Sequence, residues 1–215
     1  MAQYKLHCFC QSGNSYKVAL YLNCAGLDWE PVFTDFMKGM TRDPKWRESV
    51  NIMGEAPVLE CDGGRLTQSG AILTYLADTT GKFKPAESDR LEALRWMLFD
   101  NHKFTSYFAT HRFMKSFLPQ APDPAVLAFL KGRFDAALDV VERHLSKSKF
   151  VIGDQPTIAD FSLAGYMFYP SEESGYDWAK SNPHLAAWLE RIRALPGWKS
   201  PYELMPGERM KPLRA

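Results

Sequence analysis

The sequence has no excess of charge of either sign: its 215 residues carry 26 Lys and Arg against 25 Asp and Glu. Such a balance projects no long-range field toward a polyanion or an anionic lipid surface, so neither nucleic acid nor membrane is an expected partner. Long apolar runs are lacking too. Nothing approaches the roughly 18 uninterrupted apolar residues of a membrane-spanning helix, and Lys5 and His7 interrupt any apolar leader segment, which makes a cytoplasmic location the expectation. Cysteine is scarce and poorly spaced for pairing. Cys8, Cys10, Cys24 and Cys61 all fall in the first third, with neither a CxxC pair nor zinc-ligand spacing, so no metal and no structural disulfide is expected. Cys8 and Cys10 share one face of an extended run and read as small buried side chains. Internal repeats and low-complexity tracts are absent.

What is present divides at about residue 81. Before it, short extended runs alternate with helical periods: a strand over Tyr4–Cys10, a helix over Ser15–Ala25, a strand over Asp28–Phe33 after Gly26, and a short helix over Pro44–Val50. Pro57–Cys61 and Arg65–Thr67, separated by Asp62-Gly63-Gly64, predict a hairpin, and Ser69–Thr79 a helix. After Gly81 the strand signals vanish. Leu91–Phe117 reads as one long helix in which Trp96, Phe99, Lys103, Tyr107, Thr110 and Met114 recur at helical spacing, and Ala125–Leu145 repeats that behaviour beyond Pro119, Pro122 and Pro124. Thr157 and Asp160 have capping-box spacing ahead of an apolar helix, with Asp in the usual Glu place. Asn182–Leu195 gives a further amphipathic helix, and the proline-rich tail is expected to pack loosely. The expected domains are 1–80 and 88–215, with 81–87 as linker.

The turn Cys10-Gln11-Ser12-Gly13-Asn14 delivers a hydroxyl and an amide to a helix N-terminus, where free N–H groups and the positive end of the helix dipole suit a phosphate, carboxylate or thiolate. An ordinary Ser or Asn cap accounts for that segment equally well.

Downstream, Met53-Gly54-Glu55-Ala56-Pro57-Val58-Leu59 and Leu66-Thr67-Gln68-Ser69-Gly70-Ala71-Ile72-Leu73 resemble the glutathione-binding half of cytosolic glutathione S-transferases. Leu94-Arg95-Trp96-Met97-Leu98-Phe99-Asp100, Ile152-Gly153-Asp154-Gln155-Pro156-Thr157-Ile158-Ala159-Asp160 and Pro183-His184-Leu185-Ala186-Ala187-Trp188 resemble the family's later signatures, in order, as in a bacterial theta/nu-like member. The resemblance implies an α+β protein with a thioredoxin-like N-terminal domain (βαβαββα), an all-α C-terminal domain, glutathione as co-substrate, a small hydrophobic electrophile and a homodimer.

It also implies roles. Pro57 would be a cis proline after Ala56, presenting the backbone of Val58 to the cysteinyl moiety, while Gln68 and Ser69 would hold the γ-glutamyl end, with Ser69 at a helix start. Ser12 would donate to the sulfur with Asn14 beside it. Glu55 stands where relatives carry a group able to meet the glycyl carboxylate, so Lys38 or Arg42 is expected to take that contact. Asp100 would reach toward the partner's glutathione. Tyr107, His111, Met114 and Tyr166 would line the pocket for the electrophile, between the domains. The implied activity is glutathione transfer to an electrophile in detoxification. A glutathione-dependent disulfide or peroxide reductase and a non-catalytic glutathione-binding dimerisation module are the alternatives. Cys10 lies two residues before the catalytic position, so chemistry by the protein's own thiol does not carry over to it.

Overall fold

The computed structural model describes residues 2–214. Its first strand, β1 (Tyr4–Cys8), buries Tyr4, Leu6 and Cys8 on one face, while Lys5 on the other reaches Glu30 on β2 (Trp29–Phe33) at 2.8 Å. β2 contains Pro31, which has no N–H to give to a ladder, and the strand order β2-β1-β3-β4 puts it at an edge. β1 and β2 are parallel and joined through α1 (Gly13–Cys24). After α2 (Pro44–Ser49), β3 (Val58–Cys61) and β4 (Gly64–Thr67) run antiparallel to their neighbours. Asp62 and Gly63 have φ of 48° and 73°, the paired positive values of the primed hairpin turn. Gly64, expected in that turn, pairs with Cys61 instead. α3 (Ser69–Thr80) then packs against α1 and stops at Gly81, whose φ of 70° is left-handed.

The helical half opens with α4 (Arg90–Phe99). The single helix expected over 91–117 is interrupted: residues Asp100–Phe104 form a π turn, in which the Thr105 N–H bonds back to the Asp100 carbonyl, before α5 (Thr105–Ser116) begins. One extra residue per turn rotates everything beyond it, so the anticipated stripe does not stay on one face. α5 buries Thr105, Phe108, His111, Arg112 and Ser116 instead. α6 (Pro124–Leu145) starts from Asp123, which accepts from the Ala125 N–H, and α7 (Ile158–Ala164) is buried at every residue. Two short turns, α8 (Ser171–Ser174) and α9 (Trp178–Ser181), lead to α10 (Pro183–Arg193). Phe108 and Phe134 stack at 4.3 Å, and Tyr176 and Trp178 at 4.9 Å, in the core between α5, α6 and α9.

Three buried polar clusters brace this half. The expected capping box forms: the Thr157 N–H donates to Asp160 Oδ2 at 2.8 Å and the Ala159 N–H to Thr157 Oγ1 at 3.3 Å. Asp160 Oδ1 also accepts from the Val151 N–H at 2.8 Å and from Trp188 Nε1–H at 2.9 Å. Burial nonetheless pushes the Asp160 carboxyl up to about 6. Arg112 pairs with the fully buried Glu173, its guanidinium 3.8 Å over the Tyr169 ring. The third cluster is at Asp100.

By contacts, the chain to Lys84 groups with Leu195–Arg209 as a first unit, and Pro85–Ala194 with the residues from Met210 on as a second. The boundary lies inside the anticipated linker, but the stretch 195–209 belongs with the first unit rather than the second. Nor is it loosely packed. Ser200 and Glu203 form a capping box at α11 (Pro201–Leu204), Tyr16 Oη donates to the Lys199 carbonyl at 2.7 Å, and the Cys10 N–H donates to the Pro206 carbonyl at 2.9 Å. Proline denies this segment a long helix and leaves its carbonyls open to bond elsewhere. Among the described residues no helix is long and apolar enough to cross a membrane.

Candidate functional site

β1 ends at Cys8 and the chain turns at residues 9–12, closed by a bond from the Ser12 N–H to the Phe9 carbonyl at 3.0 Å. Ser12 then caps α1: its backbone is extended, and Oγ accepts from the Ser15 N–H at 3.1 Å. The hydroxyl hydrogen has no acceptor among the described residues. It therefore remains able to donate. Asn14, in the first turn of α1, has its Oδ1 buried with no partner among the described residues. A buried amide oxygen left unpaired costs about 1–3 kcal/mol, which an incoming donor would recover. The positive end of α1 lies at the same place. This turn is thus built to receive an electron-rich atom and to offer it a hydroxyl donor.

A second polar platform lies at β3 and α3. The Ala56–Pro57 peptide bond is cis, and Val58 begins β3 directly after it. Ser69, buried, opens α3. Gln68 before it adopts φ 67° and extends its side chain to Glu55, with Nε2 to Oε2 at 2.8 Å. That contact was not foreseen. The two residues lie thirteen apart, on opposite sides of the hairpin, and no local pattern pairs them. Glu55, read as a misplaced anion, is a partner of Gln68.

The basic candidates occupy the segment between β2 and α2. Lys38 is exposed and lies 3.4 Å from Asp35. Arg42, also exposed, lies beside Gly39 and has no carboxylate partner among the described residues. Arg42 lines a surface groove of about 1300 Å³ together with Lys5, Arg47, Glu60 and Arg65. None of the other candidate residues lines that groove. Its remaining cations are engaged: Arg47 donates to the Ile52 carbonyl at 2.9 and 3.0 Å, Arg65 to Glu60 and the Ser49 carbonyl, and Lys5 to Glu30.

Cys8 and Cys10 are buried, while Cys24 and Cys61 are half-buried. Burial pushes Cys8 and Cys24 up to about 12, which keeps both protonated. Cys10 is fully buried, its thiol 3.3 Å from Gln11 Oε1.

In the second unit the candidates fare differently. Asp100 is fully buried, its two carboxylate oxygens accepting from Thr105 Oγ1 at 2.5 Å and Ser162 Oγ at 2.6 Å. This corrects the expectation that it reaches toward a partner's glutathione: Asp100 continues the face of α4 that buries Ala93, Trp96 and Met97 and meets Ser162 of α7. Tyr107 meets Phe129 of α6 edge-on, and its oxygen accepts from Arg133 at 3.4 Å, which holds the phenol below its usual range. Met114 is half-buried. His111 is buried, with Nδ1 unpartnered among the described residues. Burial, then Lys115 and Lys131, hold its imidazole below the ordinary value. Tyr166 lies edge-on to Phe108.

Two family models match the chain: the N-terminal domain of glutathione S-transferase over residues 2–78 and the C-terminal domain over residues 124–191. A glutathione S-transferase 3 of Zea mays is 30% identical, over 96% of this chain and 96% of its own. The crystal structure of a glutathione S-transferase from Pseudomonas fluorescens superposes with a TM-score of 0.83 at 32% identity, covering 93% of this chain and 99% of that one. A glutathione transferase from Phanerochaete chrysosporium, solved with oxidized glutathione, superposes at 0.84 with 25% identity, covering 94% and 95%.

Proposed function

The chain belongs to the glutathione S-transferase family, and from that premise we propose that it binds glutathione on its first unit and activates it as the thiolate for attack on a small apolar electrophile. The hydroxyl of Ser12 carries the reading. It is fixed by the bond it accepts from Ser15 and keeps its own hydrogen for a ligand at the start of α1. Free glutathione thiol, with a pKa near 8.5, is only about 3% ionised at pH 7. Lowering that value by about two units requires about 2.7 kcal/mol. One hydrogen bond to a charged acceptor supplies about 1.5–3 kcal/mol and a helix N-terminus about 0.3–1 kcal/mol, so the two suffice. Ser12 donates without ionising; the thiol proton leaves to solvent, and the sulfur lone pair forms the C–S bond as the leaving group departs.

On this reading Ser69 holds the γ-glutamyl carboxylate at the N-terminus of α3, and Val58 pairs through its backbone with the cysteinyl moiety. The Gln68–Glu55 pair meets the γ-glutamyl ammonium, Glu55 supplying the charge that Gln68 lacks. Arg42 takes the glycyl carboxylate in preference to Lys38, which already neighbours Asp35. The theta/nu-like assignment rests on Ser12 followed by Asn14. A homodimer is supported by α4, which leaves Leu91, Leu94 and Leu98 exposed at 71%, 48% and 59% along one stripe, a face that a second copy would cover.

The test is a pH titration of the thiolate absorbance of bound glutathione, with turnover on a chloronitroaromatic. Ser12→Ala is expected to raise the thiol pKa and lower turnover ten- to a hundredfold, about 1.4–2.7 kcal/mol. Asn14→Ala is expected to do less. An unchanged titration in Ser12→Ala rejects the assignment. Loss of activity in Cys10→Ala alone moves the protein to the reductase reading. Sedimentation as a stable monomer at micromolar concentration, with full glutathione affinity, rejects the dimer.

A further inference from the structure

The turn that carries Ser12 is fastened to the C-terminal segment rather than to its own sheet. Between β1 and α1, the Cys10 N–H donates to the Pro206 carbonyl at 2.9 Å, and Gln11 Nε2 donates to the Glu208 carbonyl at 2.6 Å. The Cys10 thiol lies between them, 3.3 Å from Gln11 Oε1 and 3.7 Å from the Glu208 carbonyl. Gln11 is 7% exposed, a long amide held inside a turn whose neighbours Phe9, Cys10 and Ser12 are buried with it. Gly207, between the two accepting carbonyls, has φ 117°, and a Cβ there would lie 3.1 Å from Cys10 Sγ and 3.2 Å from Phe33. Glycine is therefore required both by the backbone conformation and by the close approach. Upstream, the same segment is held to α1 by the bond from Tyr16 to the Lys199 carbonyl.

A hydroxyl that stabilises a thiolate must be held in place, because hydrogen-bond strength falls steeply with angle and distance. Ser12 is one residue from Gln11. Its own backbone is anchored on one side by the bond to Phe9 and on the other by the start of α1. Between these anchors, residues 10 and 11 are held by the two bonds to 206 and 208. We propose that Gln11 is a positioning residue: through its bond to the Glu208 carbonyl it locks the turn onto the C-terminal segment and so sets the direction in which Ser12 donates to the sulfur. Gln11 touches no substrate in this account. Residues 206–208 become part of the sulfur site although they lie nearly two hundred positions away in sequence. The proposal rests on the assignment of Ser12 as the sulfur donor.

The experiment compares wild type, Ser12→Ala, Gln11→Leu, Gly207→Ala and the Gln11→Leu/Gly207→Ala double variant. Each is measured by thiolate titration of bound glutathione, by calorimetric glutathione affinity, and by kcat and KM. Gln11→Leu is expected to raise the thiol pKa by about one unit and to lower kcat about tenfold, with the glutathione dissociation constant changed less than twofold. Gly207→Ala, which pushes the segment off the turn from the other side, is expected to do the same, and the double variant no more than either single one, as for two lesions in one lock. An unmoved titration in soluble, folded Gln11→Leu overturns the proposal and leaves Gln11 as a structural residue. A loss of glutathione affinity with kcat unchanged also overturns it, because Gln11 would then be a contact. Should Gln11→Leu fail to fold, Gly207→Ala decides alone by the same readouts. If Ser12→Ala itself leaves the titration unmoved, both the proposal and the reading beneath it fall; if Ser12→Ala moves it and the other variants do not, only the proposal falls.

Discussion

Ser12 and Thr157 both cap helices, and the two caps are finished differently. At α7 the cap is closed: Thr157 and Asp160 answer each other, and Asp160 collects further donors from Val151 and Trp188 until both its oxygens are engaged. At α1 the cap is half open. Ser12 accepts from Ser15 and gives nothing back, and Asn14 keeps an unpaired oxygen beside it. Asp100 and Glu173 of the second unit are saturated by partners within it. A folded chain leaves few buried polar groups unfinished, so each one asks for an explanation. On the proposed reading the closed cap is architecture and the open one receives the sulfur.

This contrast can be broken most forcefully at the closed cap. Asp160→Ala should cost about 3–5 kcal/mol, measured by urea unfolding, because it strands the Val151 and Thr157 N–H groups and the Trp188 indole together. A loss below about 1 kcal/mol would mean that the cluster is not the brace described. Nearly as large is the expected cost of Glu173→Leu, about 3 kcal/mol, since it takes the carboxylate away from the buried Arg112 charge. Adding Arg112→Met should recover most of that loss; a strictly additive double variant would show that the two residues act separately.

At the open side the effect moves from stability to binding. Ser69→Ala should weaken glutathione binding by about 1.5–3 kcal/mol by calorimetry while the unfolding midpoint stays nearly fixed. Equal affinity would remove Ser69 from the site. The smallest effect is expected at His111, whose buried ring is held neutral by burial and by Lys115 and Lys131, with Asp135 opposing them. Its folded-state pKa lies below the unfolded value, so the unfolded chain binds the extra proton first. Stability should therefore decline as pH falls below about 6.5. His111→Gln should flatten that decline between pH 7 and pH 5, and an unaltered pH profile would show that the ring does not contribute.

Much of this was legible in the sequence. The alternation of β1, the Ser12 cap, the Asp-Gly turn and the Thr157–Asp160 box are local patterns, each set by residues a few positions apart. What escaped was of two kinds. Gln11 with Glu208, and Gln68 with Glu55, are partners across long separations, and one of them is a backbone carbonyl that any residue could offer. The break at Asp100–Phe104 escaped for another reason. No proline or glycine marks it, and Asn101-His102-Lys103 fits an ordinary helix as readily as a π turn. Asp100 was assigned outward, to a partner, although it stands seven residues after Ala93 on the face of α4 that turns inward to Ser162.

That turn also sets how this chain's length can change. It acts as a phase shifter: the extra residue held between α4 and α5 leaves the second helix about 100° behind an uninterrupted helix of the same sequence. A one-residue deletion within 100–104 would therefore give a straight helix with Phe108 and Arg112 still on the core. Straightening the turn at full length would instead swing them off it and bring Tyr107 and Thr110 round. The segment can shed one residue without disturbing α5, but it cannot become regular and keep all five.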